Sequence, residues 1–283
     1  MKCKIFLIIL LILLACTLSR SVPAYGNEEY GVFLPIVLKD YVSPHYDENK
    51  GIALVTNQLS DLDMVGAGWY YVWSCDCTRL NDNKYVPMSY YGLVPECLPT
   101  DYNGFVLFLN EPNNVAPYGS EIKPIEAAKR YVEFIEQRPN AKLVVGNASV
   151  WSSMWYIEFL MELNNTYPNT PKPEYYGFHG YVESWVTVDW LEKWWTSTEE
   201  FIYYYSGIHP EIWITEFADT TGNIESFSSL LDVIDSKEYI TRYGYFTNRY
   251  DPEAEYIPSG WYDFNLVNDN GSLTPVGEVY KKR

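Results

Sequence analysis

Positive charge is scarce in this sequence: 20 Lys and Arg stand against 37 Asp and Glu, a formal net charge of −17. So acidic a chain excludes partners that need Lys/Arg patches, namely nucleic acid and anionic lipid surfaces. It suits an extracellular protein acting on a neutral substrate. No Ser/Gly linker, low-complexity tract or internal repeat divides the chain, which argues for one continuous domain. The long apolar run at residues 5–14 is too short for a membrane span. It follows a short basic start, and small residues follow it, as in a secretory signal. Two processing sites compete. "SVPA" (21–24) suits ordinary cleavage and a secreted product. "LLAC" (13–16) is like a lipobox, which would anchor the chain at the cell surface through Cys16.

Cysteine is scarce as well. Beyond the signal only Cys75, Cys77 and Cys97 remain. Cys75 and Cys77 are too close, and too alike in direction, to pair with each other easily. One of them is expected to bond Cys97, closing a loop of about 20 residues worth on the order of 3 kcal/mol. A C-x-C with one distant Cys lacks the paired spacing of a zinc site. No metal or cofactor is implied, nor any protein partner, and a monomer is expected.

What the chain has in quantity is aromatic rings, 27 Tyr and 10 Trp. Such faces fill cores and also stack on the apolar C–H faces of sugars. Between them runs an alternation of apolar strand-like segments and helical ones. "GIALV" (51–55), "GAGWYYVWS" (66–74), "YVPMSYYG" (85–92), "GFVLFLN" (104–110), "AKLVVGNAS" (141–149), "YYGFHGYV" (175–182), "EIWITEFAD" (211–219) and "ITRYGYFTN" (240–248) make eight strand candidates. Helices are predicted at 59–65, 123–139, 155–167, 187–207 and 224–236. The segment between the third and fourth strands carries no helical pattern and reads as a Cys-tied loop. Eight strand–helix units imply the α/β class and a single (β/α)8 TIM barrel. The division expected is a signal at 1–24, an N-terminal arm or edge strand at 25–50, whose residues 32–38 are apolar, and a barrel over 51–283.

In such a barrel the site lies at the carboxyl ends of the strands. Polar residues interrupt the apolar runs at those ends: Asn110 and Glu111 on the fourth strand, Asn147 on the fifth, His179 and Tyr181 on the sixth, Glu216 on the seventh. One strand-end Glu is a coincidence. Two form a constellation, because glycosidic cleavage needs one carboxyl group to protonate the leaving oxygen and another to attack the anomeric carbon.

These motifs resemble glycoside hydrolase clan A. The closer resemblance is to its endo-β-1,3-glucanase family with the alkali-sensitive-linkage type of catalytic domain. The counterparts run in order: Trp69-Tyr70-Tyr71-Val72-Trp73, Val86-Pro87-Met88, Asn110-Glu111-Pro112 and His179-Gly180-Tyr181. They continue as Thr215-Glu216-Phe217, Arg242-Tyr243-Gly244-Tyr245-Phe246 and Gly271-Ser272-Leu273-Thr274. The family pattern has Asn at Val72, Trp at Gly180 and Ala-Trp at Gly244-Tyr245. Together with the chemistry, the resemblance implies a retaining hydrolase with Glu111 as acid/base and Glu216 as nucleophile. It implies that Asn110 meets the substrate 2-hydroxyl, that Tyr181 orients Glu216, and that His179 joins the same cluster. Trp69, Trp73, Trp151 and Tyr245 are its candidate sugar platforms. A β-1,3-glucan is the implied substrate. A relative acting on xylan or mannan, or a non-catalytic carbohydrate-binding surface protein, are the alternatives.

Overall fold

The computed structural model describes residues 46–249 and 265–283. The signal, Cys16 and most of the arm lie outside the described residues. Eight strands form one parallel sheet: β1 (Asp47–Ala53), β2 (Ala67–Tyr71), β3 (Met88–Ser89), β4 (Phe105–Phe108), β5 (Lys142–Ala148), β6 (Tyr175–Val182), β7 (Glu211–Asp219) and β8 (Ile240–Phe246). Their spatial order is β2-β1-β8-β7-β6-β5-β4-β3. An isolated parallel bridge from Tyr70 to Tyr85 joins the two edges, so the sheet closes as a barrel. β1 starts at Asp47, four residues before the apolar run that marks it in the sequence, and β3 is only two residues long.

Helices cover the outside: α1 (Ser60–Val65), α2 (Pro124–Gln137), α3 (Ser153–Thr166), α4 (Val188–Ser206), α5 (Ile224–Ser236) and α6 (Pro275–Lys281). α2 shows why they form. Pro124 sits in its first turn, and Ala127, Ala128, Tyr131 and Phe134 make one buried stripe at helical spacing. α4 is capped by the Thr187 hydroxyl and ends at Gly207 in the left-handed conformation. The strands are buried on both faces, as a parallel sheet under helices requires; in β7 every residue after Glu211 is buried.

Cys77 bonds Cys97, tying the loop after β2 to the helix-free connection between β3 and β4. The Cys75 thiol is free and half-buried, 3.8 Å from the Cys97 sulfur.

Inside the amino end of the barrel the filling is aromatic. Trp69, Phe105 and Trp213 project from the first residues of β2, β4 and β7, with ring centroids 5.3 Å apart for Trp69–Trp213 and 4.6 Å for Phe105–Trp213. The Arg242 guanidinium lies 4.6 Å from the Trp213 ring. Gly51 makes room for this plug, since a Cβ there would sit 2.2 Å from the Trp69 indole.

Candidate active site

The cleft at the carboxyl end has a volume of about 620 Å³ and holds Glu111 and Glu216. The end of β4 delivers the first. Leu109 and Glu111 both take positive φ, 72° and 40°, which is uncommon for residues with a Cβ and turns the chain sharply over Asn110. Three contacts fix Glu111. Its backbone N–H donates to the Asn147 carbonyl at 2.9 Å. The Asn114 amide donates to Oε2 at 2.8 Å, and His179 Nδ1 lies 2.8 Å from Oε1.

Glu216 is buried and held differently. Tyr71 and Trp73 donate to Oε1 at 2.7 and 2.9 Å, and Tyr181 donates to Oε2 at 2.6 Å. A register shift between Phe178 and His179 sets His179 directly beside Glu216, with Nδ1 3.2 Å from Oε2. His179 therefore bridges both carboxyl groups, and suitable ligand atoms of the three residues lie within 4.8 Å of one another.

The electrostatics keep the donors protonated. Burial, then the charge of Glu216, pushes the Tyr71 and Tyr181 phenols well above their ordinary value. Burial alone would lower the His179 pKa, but the charge of Glu216 and the hydrogen bond to Glu111 outweigh it, and the net shift is upward. Tyr71 stands inside the strand-two motif but not among the residues that the resemblance assigns to the site, although strand periodicity identifies it. Trp69 and Tyr71 alternate onto one face of β2, Trp73 just past its end continues the column, and the rings rise through the barrel with centroids 6.2 and 5.4 Å apart. Asn114, three residues past Glu111, is missing from that assignment too, as are Phe246 and Trp185, which line the cleft.

Asn110, Trp73, Trp151 and Tyr181 line the cleft as expected of site residues. Four other candidates do not; His179 is fully buried against the two glutamates, and three lie elsewhere. Trp69 is buried in the plug at the amino end, its indole N–H donating to the Asn49 carbonyl at 3.1 Å. Tyr245 points outward, packed on Phe217 and Phe227 at 5.4 Å and on Tyr280, because alternation along β8 turns Phe246 inward instead. Asn147 is fully buried; it donates to the Leu109 carbonyl at 3.0 Å and to the Phe108 carbonyl at 3.3 Å, so it holds the β4 end. Gly180 also has a reason: a Cβ there would meet the α4 residue Trp195 at 2.3 Å, so that indole occupies the space.

No curated protein sequence matches the chain. Among solved structures it is similar in fold to a GH128 subgroup I endo-β-1,3-glucanase from Amycolatopsis mediterranei in complex with laminaritriose. That match has a TM-score of 0.63 and 15% identity, and covers 83% of this chain and 99% of the other. A GH128 subgroup III curdlan-specific exo-β-1,3-glucanase from Blastomyces gilchristii, in complex with glucose, matches with a TM-score of 0.61 and 21% identity, covering 83% and 98%. A GH128 subgroup II endo-β-1,3-glucanase from Sorangium cellulosum gives 0.55 and 20%, covering 82% and 97%. Residues 51–280, from β1 to α6, match the profile of the glycosyl hydrolase catalytic core, and the chain belongs to that family.

Proposed function

We propose that this protein is an exported retaining β-glucan hydrolase that cleaves β-1,3 linkages, with Glu216 as nucleophile and Glu111 as acid/base. One observation carries the reading: two glutamates at the mouth of a barrel have oxygens within 4.8 Å of each other and unlike surroundings. Retention goes with carboxyl groups about 5–5.5 Å apart, and inversion with the wider spacing that admits a water. The spacing here supports the shorter class.

In the first step a Glu216 oxygen forms a bond to the anomeric carbon as the glycosidic C–O bond breaks. Glu111 gives its proton to the departing oxygen. In the second step Glu111 takes a proton from water, whose oxygen bonds the same carbon and releases Glu216. Tyr71, Trp73 and Tyr181 aim the nucleophile; Asn114 and His179 hold the acid/base. Asn110 has a buried Oδ1 with no partner among the described residues, which suits a contact to a sugar hydroxyl.

The acidic composition and the ring-lined cleft favour a neutral glycan. The Amycolatopsis and Sorangium relatives are endo-acting and the Blastomyces one exo-acting; internal cleavage is the reading adopted for this chain. Export rests on the N-terminal basic and apolar segments. Product analysis on laminarin, xylan, mannan and cellulose tests the whole. Laminarin is expected to give mixed oligosaccharides whose first-formed anomer is β by NMR. Cleavage of xylan or mannan alone overturns the substrate, glucose as sole early product overturns the endo mode, and an α first-formed anomer overturns retention.

A further inference from the structure

Trp151 and Trp185 line the cleft yet are 64% and 59% exposed. Exposed indoles are costly to keep in water, and a pair in one cleft marks a binding surface. The two rings are nearly parallel, 8° apart, with centroids 6.4 Å apart. Both are built in firmly. Trp151 has a φ of 68°, a conformation a bulky residue seldom adopts without support. Its ring rests on Trp190 at 4.4 Å, and Trp190 stacks on Trp194, whose indole N–H donates to Ser153 at 3.0 Å. Trp185 stands on a tight turn closed by the Glu183 and Val186 backbones at 3.0 and 3.2 Å.

The surroundings of the two carboxylates tell which side of the scissile bond this is. Glu216 is enclosed by Tyr71 at the end of β2 and Trp73 just past it, with Phe246 of β8 5.7 Å from Trp73. Glu111 is tied the other way. Asn114 bonds Glu111, and Ser149, two residues before Trp151, bonds Asn114 at 3.1 Å. A nucleophile meets the sugar that stays on the enzyme, whereas the acid meets the leaving oxygen. The departing chain therefore runs from Glu111 across the loops after β5 and β6.

We propose that Trp151 and Trp185 form the platform for sugars on the leaving-group side of the cleft. The ligand is a neutral glycan of rings with flat C–H faces. Among the described residues no Lys or Arg lines the cleft. The proposal rests on the hydrolase reading above.

The test compares laminarihexaose with an aryl β-laminaribioside, whose leaving group is not a sugar. Trp151→Ala and Trp185→Ala should each lose at least about tenfold in kcat/KM on the hexaose but less than about threefold on the aryl substrate. Equal losses on both substrates, or none on either, overturn the platform. Calorimetric titration of laminarihexaose in a Glu216→Ala background reads the platform without turnover. If the wild type cleaves neither substrate but the Trp variants lose binding, the reaction falls and the platform stands; undiminished binding overturns the platform.

Discussion

Trp69 of β2 and Trp73, two residues past its end, stand in one column of rings, yet they belong to different ends of the barrel and do different work. At the amino end Trp69 packs on Trp213 and serves only the core. At the carboxyl end Trp73 gives its N–H to Glu216 and faces the cleft. The backbone differs in the same way. Among the described residues, every non-glycine with positive φ (Leu109, Glu111, Glu121, Asn147 and Trp151) lies at the end of β4 or β5 or in the loop that follows. Strain of this kind costs on the order of 1–3 kcal/mol per residue and survives where surrounding contacts impose it. The barrel's stability is thus invested at one end and its chemistry at the other.

The comparison breaks most easily at those two tryptophans. Trp69→Ala should cost about 3–5 kcal/mol of stability, measured by denaturant unfolding. Trp73→Ala should cost less stability and far more turnover. If Trp73→Ala unfolds as readily as Trp69→Ala while its folded fraction keeps full rate, the two ends are not distinct.

A smaller effect sharpens the carboxyl end. Tyr71→Phe and Tyr181→Phe keep each ring and delete one donor to Glu216. A hydrogen bond to a charged group is worth about 1.5–3 kcal/mol, so each should lower kcat about 10- to 100-fold with the melting temperature nearly unchanged. Loss of stability without loss of rate would make these phenols structural.

The smallest effect is pH-dependent. The raised His179 pKa means that the folded state binds this proton more tightly than the unfolded chain does. The resulting stability is fully present below the unfolded value of 6.5 and is lost as pH rises through the higher folded value. The melting-temperature gap between wild type and His179→Asn should therefore be wider at about pH 6 than at about pH 8.5. A gap independent of pH would contradict the bridging geometry.

The barrel was legible in the sequence because strand–helix alternation is a local signal, and so was the glutamate pair, because each ends an apolar run. What local pattern does not carry is height and facing. Trp69 and Trp73 look alike in a motif, and the room left by Gly51 and Gly244 lodges Trp69 in the plug. Tyr245 occupies the position of a family Trp, yet the alternation of β8 turns Phe246 into the cleft. Asn147 is a polar strand-end residue as read, but the irregularity beside it aims its amide at β4 carbonyls. Trp185 was missed because a four-residue turn, with no periodicity of its own, brings it to the cleft.

The central claim is the division of labour between Glu111 and Glu216, and azide tests it most directly. With an activated aryl β-glycoside, Glu111→Ala should still form the glycosyl-enzyme, and azide should raise its rate and yield a β-glycosyl azide. Glu216→Ala lacks the nucleophile, so azide should take its place and yield the α-glycosyl azide. The opposite pairing of anomers, or full activity of Glu111→Ala on polysaccharide, would contradict the account.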